Sequence, residues 1–157
     1  MTRANMIGAL LDQACICGTL LREVDLGKMN LSGVHMAGAD LTKTRLAGAN
    51  LARIDLRGAQ LCGANLSSCN LQEALLAHAV LTDARMIGVN MTSACLIRAD
   101  LRRADLTGSL CPKADLSEAR LDEAMLQSVD FTLGVLRGAS FVEARAVSAL
   151  FSSADLS

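Results

Sequence analysis

The sequence predicts an all-β solenoid in which the chain bends once every five residues. Three observations predict it: an apolar residue recurs at every fifth position, a small apolar residue precedes each of these by two, and most glycines follow them by two. The recurring residue, called the centre, fills 31 positions from Met6 to Leu156, and 21 of these are leucine. The second series begins at Ala4, and 20 of its 31 members are alanine. Charged residues make up 20% of the chain but occur in neither series, so we expect both series to be buried.

A period of five residues fits neither a helix nor a flat strand. Five helical residues rotate the chain by about 140° beyond a full turn, which would spread the centres around the whole helix. In a flat strand an odd step moves each centre to the opposite face. Each repeat must therefore form a short extended side and then a corner. The members of the two apolar series point inward, and the residue between them points outward. The two residues after the centre form the first and second corner positions. Ten of the 12 glycines fall at the second corner position, which favours a residue without a Cβ atom.

Individual repeats resemble the pentapeptide repeat, whose pattern is Ala-(Asp/Asn)-Leu-X-X. The runs that carry the resemblance are Ala39-Asp40-Leu41-Thr42-Lys43, Ala49-Asn50-Leu51-Ala52-Arg53, Ala64-Asn65-Leu66-Ser67-Ser68 and Ala104-Asp105-Leu106-Thr107-Gly108. The resemblance implies a right-handed quadrilateral parallel β-helix of about 7–8 coils, each made of four pentapeptides. At about 4.8 Å per coil the rod would be about 37 Å long. We expect a single domain over residues 1–157, with an atypical C-terminal coil at about residues 145–157.

Residues 20 apart support this coil length, because they would stack in neighbouring coils. One such column contains four like amides, Asn30, Asn50, Asn70 and Asn90, which can hydrogen-bond to one another. Other columns place opposite charges together: Asp25 with Arg45, Arg85 with Asp105, Asp100 with Arg120, and Arg53 with Glu73. We therefore expect ion pairs between coils, each worth less than about 1 kcal/mol.

The residue types used in catalysis and metal binding are present but are not clustered in the sequence. Cysteines are predicted to point inward at Cys69 and Cys111 and outward at Cys15, Cys17, Cys62 and Cys95. No two cysteines are 20 apart, so we expect reduced thiols in a cytoplasmic protein. Cys15-Ile16-Cys17 lacks the second pair of ligands that structural zinc requires. His35 and His78 are interpreted as surface residues without a neighbouring cysteine or carboxylate. We expect no enzymatic activity, no cofactor and no metal.

Composition also limits the classes of partner. The net charge is −1, so the chain has no basic surface for direct nucleic-acid binding. The longest run without charge, residues 58–72, is shorter than the roughly 20 residues of a membrane span, so we expect no membrane insertion. The resemblance raises the alternative of a DNA-mimicking protector of DNA gyrase, although none of the four faces is an acidic stripe. A second alternative is a structural domain of a larger membrane or signalling protein.

The C-terminal end is the predicted interaction surface of a protein-interaction module whose partner the sequence does not name. An open β-helix end exposes unpaired backbone and core, and so favours a cap or a partner. Outward positions become apolar towards this end, at Met125, Leu133, Val135, Val142, Val147 and Leu150. We predict a homodimer or partner contact there; the competing interpretation is a distorted terminal coil.

Overall fold

A computed structural model describes residues 14–157, which form a rod of stacked coils. Twenty-five parallel bridges, from Cys15–His35 to Val135–Asp155, each join one residue to the residue 20 positions later. These bridges recur every five residues, so each 20-residue coil has four sides. Within residues 14–157 there is no helix, and no strand is longer than a single bridged residue. The predicted four-sided parallel β-helix is therefore confirmed.

Backbone hydrogen bonds run along the rod axis and join each coil to both neighbours. On one side, Asn50 donates its N–H to the carbonyl of Met29 in the preceding coil (2.9 Å). The next residue, Leu51, donates to the carbonyl of Asn70 in the following coil (2.7 Å). Because this pattern repeats on all four sides, each inner coil is bonded above and below at every side.

The corners adopt the conformation that the glycine pattern predicts. A hydrogen-bonded turn closes most of the corners, as when Ile54 donates its N–H to Leu51 O at 3.2 Å. Every second corner position from Gly18 to Ser153 has a φ between 55° and 70°, in the left-handed region. Only nine of these positions hold glycine, and 19 hold other residues. Gly8, the tenth predicted corner glycine, lies outside the described residues. The rod therefore carries backbone strain at its non-glycine corners.

A glycine at such a corner is expected to stabilise the rod. Ser93 has a φ of 57° and lies in the middle of the chain. Because a left-handed residue with a Cβ atom is strained, we expect Ser93→Gly to be more stable than Ser93→Ala by about 0.5 to 1 kcal/mol, after allowing for the extra chain entropy of glycine. Thermal melting followed by circular dichroism measures the difference, and equal stability of the two variants would contradict the proposed strain.

The structure gives a physical reason for Asp or Asn at the outward position. The N–H of the first corner residue takes part neither in the hydrogen bonds between coils nor in the turn. An outward Asp or Asn accepts a hydrogen bond from it, as Asp105 Oδ1 does from Thr107 N at 3.0 Å. All 13 outward Asp and Asn residues within the described range make this bond. The only proline in the chain, Pro112, occupies a first corner position, where no N–H is needed.

The interior is filled by the two inward series, which are buried from Val24 to Leu136. Leu41, Leu61, Leu81 and Leu101 are each at most 1% exposed, as predicted. The second series, which begins at Ala4, contains a few polar or sulfur-containing residues in place of alanine. Three of them donate a side-chain hydrogen bond to the carbonyl 23 residues earlier: Thr44 to Leu21 (2.9 Å), Cys69 to Leu46 (2.9 Å) and Ser109 to Met86 (2.6 Å). A small side chain with a donor is tolerated there because the preceding coil supplies the acceptor.

Candidate functional surfaces

The coil formed by residues 138–157 has an open edge. The N–H groups of its four centres have no acceptor in the described part of the chain, and the carbonyls of its four small inward residues have no donor there. These are the N–H groups of Phe141, Ala146, Phe151 and Leu156 and the carbonyls of Ala139, Ala144, Ala149 and Ala154. In the preceding coil the equivalent N–H of Leu121 donates to Ser140 O at 2.7 Å. Each side of this coil therefore has a free N–H and a free carbonyl in the described structure, and the corner N–H groups of Glu143, Ser148 and Ser153 are free as well.

The six predicted interaction residues do not form one continuous patch. Val142, Val147 and Leu150 lie in this last coil and are 64%, 69% and 55% exposed. Leu133 and Met125, one coil earlier, are also exposed. The remaining residue, Val135, is only part-buried on another side of the rod. Sequence reasoning missed one apolar residue at the edge: Leu156 is 58% exposed, although it occupies a centre. Its regular repeat position hid it, because burial of a centre requires a following coil.

Three aromatic rings fill the interior near this edge. Phe131 and Phe151 occupy successive coils of one column and stack with ring centroids 5.2 Å apart at 18°. Phe141 projects from the opposite side and meets Phe151 edge to face, with centroids 6.4 Å apart. Phe131 is completely buried, whereas Phe141 and Phe151 are part-buried. The rings therefore fill the core of the last coil but leave part of their surface open.

The opposite part of the described chain brings together a second group of polar side chains. The exposed thiols of Cys15 and Cys17 lie with their sulfur atoms 3.0 Å apart. Cys15 is bridged to His35, whose Nδ1 lies 3.9 Å from Asp55 Oδ2. The expectation that His35 has no neighbouring cysteine or carboxylate was therefore wrong. The signal was present in the sequence, since residues 15, 35 and 55 differ by one coil.

The other cysteines lie where the repeat predicts. Cys69 and Cys111 are buried, and Cys62 and Cys95 are part-buried on the outside of the rod. Burial raises the pKa of the Cys69 thiol to about 11, and it raises the pKa of Cys111 further. All cysteines within the described residues are free.

Ion pairs between coils form at some of the predicted positions. Arg45 binds Asp25 at 3.1 Å, and Arg53 binds Glu73 at 3.0 Å. Two further pairs with the same offset join Arg98 to Glu118 and Arg103 to Asp83, each at 2.8 Å. These contacts leave acidic and basic groups interspersed on the surface.

Two predicted pairs do not form in the described structure. Asp100 binds Arg102 of its own coil instead of Arg120, and the Arg102 guanidinium lowers the pKa of the Asp100 carboxyl. Arg85 and Asp105 are bridged through the backbone, but no ion pair joins their side chains. Asp100 prefers Arg102 for a geometric reason. An outward Asp faces the first corner residue two positions later, so an Arg at that corner position can reach its carboxylate.

The surface depressions of the rod are shallow and lined by mixed charges. One, of about 390 Å³, is lined by residues that include Asn50, Asn70 and the paired Arg53 and Glu73. Another, of about 330 Å³, contains both arginines and carboxylates. Residues 14–157 contain no group of three or more His, Cys, Asp or Glu side chains that could hold a metal ion. The same residues include no helix able to cross a membrane.

Comparisons with known proteins place this geometry in a family. The family model for pentapeptide repeats matches eight copies between residues 19 and 138. Three solved structures are similar to the chain at low identity. HetL, a pentapeptide repeat protein involved in heterocyst differentiation regulation from the cyanobacterium Nostoc sp. strain PCC 7120, is 23% identical over 88% of this chain and 90% of its own, with a TM-score of 0.31.

The other two solved structures cover similar shares of the chain. Rfr23 from the cyanobacterium Cyanothece 51142 is 23% identical over 87% of this chain and 90% of its own, with a TM-score of 0.46. Full-length QnrB1, a plasmid-mediated fluoroquinolone resistance protein, is 14% identical over 99% of this chain and 89% of its own, with a TM-score of 0.40. A search of curated proteins finds no match.

The family match covers well over half of the chain, and its residues are those whose inward series are buried. Its register agrees with the bridges, which join residues 20 apart in every coil. The fold is the right-handed quadrilateral β-helix of this family. The chain belongs to the pentapeptide repeat family.

Proposed function

We propose that the chain is a non-enzymatic protein-interaction module, and that its C-terminal coil binds a second copy of the chain. One observation carries the proposal: the coil of residues 138–157 presents a free N–H and a free carbonyl on each of its four sides. Apolar side chains on the same coil, including Val147 at 69% exposed and Leu150 at 55%, add surface whose burial favours association. A sheet edge of this kind is a template for pairing with another chain.

A second copy fits this edge through a two-fold axis. If the axis crosses the rod at Leu150, the side formed by residues 149–151 pairs with itself in antiparallel orientation. Phe151 N–H then meets Ala149 O of the second copy, and the reciprocal bond forms because the contact is isologous. Ser140 occupies the equivalent position on the opposite side of the rod, so the same axis pairs residues 139–141 with themselves.

The remaining two sides exchange places across this axis. The side of residues 144–146 then pairs with the side of residues 154–156 in the second copy. The dimer therefore contains two equivalent contacts, each between Arg145 of one copy and Asp155 of the other. Both residues lie outward. Arg145 is exposed and free of ion pairs in the described structure, whereas Asp155 also binds Arg137 of its own chain at 2.6 Å. Charge complementarity thus favours this two-fold arrangement over one centred on Arg145, which would oppose two arginines.

Sedimentation over a range of concentrations tests the dimer. We expect the wild-type chain to dimerise and Leu150→Asp to weaken the dimer by about 100-fold or more, because two carboxylates then face each other across the axis. The matched control is Leu110→Asp, in the same column two coils earlier and 48% exposed. Asp suits both outward positions, so both variants should fold and only the first should lose the dimer.

Charge reversal provides a second arm of the same experiment. Arg145→Asp should weaken the dimer, and adding Asp155→Arg should restore most of the lost affinity by recreating opposite charges. A wild-type chain that stays monomeric at high concentration, or a dimer unaffected by Leu150→Asp, would contradict the proposal.

The two alternatives gain no support from the surface. DNA mimicry requires a continuous acidic surface, whereas arginines here bind carboxylates along the rod, as Arg53 and Glu73 do at 3.0 Å. No grouping of side chains favours a structural role in a larger membrane or signalling protein. The cytoplasmic location stays a prediction.

A further inference from the structure

A pair of exposed thiols lies in the first described coil, far from the proposed dimer surface. Cys15 occupies an outward position and Cys17 the following first corner position. The bend of the chain at the centre between them directs both side chains to the outside, and the two sulfur atoms lie 3.0 Å apart. Two residues span at most about 7 Å, and a disulfide needs sulfur atoms about 2.05 Å apart, so an approach of about 1 Å would join them.

The two thiols are not equivalent. The close contact between the two sulfur atoms lowers the pKa of Cys15 and raises the pKa of Cys17. Cys17 also donates to the carbonyl of His35 in the next coil at 3.5 Å. The thiolate is the reactive form of cysteine, so Cys15 is the nucleophile of the pair and Cys17 is placed to resolve a bond formed at Cys15.

A row of polar side chains continues from Cys15 along the rod. His35 follows one coil later, bridged to Cys15, and the next residue of the column is Asp55. The Asp55 carboxylate is bound by Arg57, whose Nη2 lies 2.7 Å from Oδ2. The same carboxylate lies 3.9 Å from His35 Nδ1, beyond hydrogen-bond distance. The column that begins at Cys15 therefore continues with polar side chains that can hydrogen-bond, and not with apolar ones.

The remaining cysteines provide an internal contrast. Burial raises the pKa of Cys69 to about 11 and that of Cys111 still higher, so both are unreactive as nucleophiles. Cys62 accepts a hydrogen bond from Thr82 at 3.2 Å, and neither it nor Cys95 has a second thiol beside it among the described residues. Only Cys15 and Cys17 combine exposure with a neighbouring sulfur atom.

We propose that Cys15 and Cys17 form a redox-active dithiol that exchanges with disulfide substrates of the glutathione type. The Cys15 thiolate attacks one sulfur of the substrate, whose S–S bond breaks and releases one thiol, leaving a mixed disulfide at Cys15. Cys17 then loses its proton and attacks the Cys15 sulfur, which releases the second substrate thiol and forms the Cys15–Cys17 bond. The two cysteines are oxidised by two electrons and the substrate disulfide is reduced to two thiols, so atoms and electrons balance.

Equilibration with glutathione tests this activity. The reduced wild-type chain is held under nitrogen at neutral pH with oxidised and reduced glutathione in increasing ratio, and free thiols are then alkylated. Peptide mass spectrometry should find a Cys15–Cys17 disulfide that accumulates with the ratio and disappears when the ratio is reversed. In Cys17→Ser the reaction should stop at a glutathione adduct on Cys15, and this adduct should form about fivefold faster or more than the adduct on Cys17 in Cys15→Ser.

Matched variants separate this site from ordinary thiol oxidation. The double variant Cys62→Ser, Cys95→Ser should form the Cys15–Cys17 disulfide at the same ratio as the wild type. Circular dichroism should show that each of these Cys→Ser variants keeps the wild-type fold. A chain that forms no Cys15–Cys17 disulfide at any ratio, or one in which Cys62 or Cys95 reacts first, would overturn the proposal.

Discussion

Leu61→Asp is expected to abolish cooperative folding of the rod. Leu61 is completely buried at a centre, between Leu41 and Leu81 of the neighbouring coils. The change loses about 1.5 to 3 kcal/mol of apolar burial and adds the cost of several kcal/mol for a carboxylate without a partner. Since typical domains are stable by only about 5 to 15 kcal/mol, we expect loss of the melting transition or a large drop in its midpoint.

The neighbouring outward position supplies the control for this result. Gln60 precedes Leu61 and is exposed, so Gln60→Asp introduces the same charge one residue away. We expect this variant to keep a cooperative melting transition close to that of the wild type, because an outward Asp can accept the N–H of Cys62 and repulsion from the adjacent Asp40 costs less than about 1 kcal/mol. Circular dichroism melting of both variants distinguishes the two positions. Wild-type melting of Leu61→Asp would show that the assignment of inward and outward residues is wrong.

Phe131→Ala is expected to destabilise the C-terminal part of the rod by about 3 to 5 kcal/mol, as other large-to-small changes in a core do. Phe131 is completely buried, and its ring stacks on Phe151 at 5.2 Å. Truncation removes this stacking and leaves a cavity below the last coil. Chemical denaturation followed by circular dichroism measures the loss of stability.

A conservative change at the same position tests the reason for the loss. Leucine fills most other centres, so we expect Phe131→Leu to recover much of the stability lost in Phe131→Ala. Phe151→Ala should cost less than Phe131→Ala, because Phe151 is only part-buried in the described structure. Equal losses for Phe131→Ala and Phe151→Ala would contradict the view that burial, more than aromatic stacking, makes Phe131 important.

The inward residues and the coil length could be predicted from the sequence for a simple physical reason. In a solenoid every stacking contact has the same offset, so one periodicity describes both the core and the pairing between coils. Ala39 and Leu41 are buried because they repeat the pattern, and adding 20 to any position finds its neighbour. The same offset of 20 residues predicts that His35 lies beside Cys15, as it does. A comparison of cysteine positions with one another does not reveal this contact.

The choice among polar partners was less predictable. Asp100 has Arg120 in the next coil and Arg102 two residues ahead in its own, and it binds Arg102. Both arginines are long enough to reach the carboxylate, so the preferred partner depends on corner geometry and side-chain conformation. A column of opposite charges therefore predicts adjacent positions but not the ion pairs that form between them.

For this protein the sequence by itself determined the solenoid, the buried residues and the outward side chains, because burial in a repeating coil depends only on position within the repeat. The tertiary structure decided which neighbouring side chains meet. It brought the sulfur atoms of Cys15 and Cys17 to 3.0 Å and left the N–H of Phe151 without an acceptor in the described residues. Such contacts depend on the direction of each side chain at a corner and on whether another coil lies above it, and neither is a property of the repeat pattern alone.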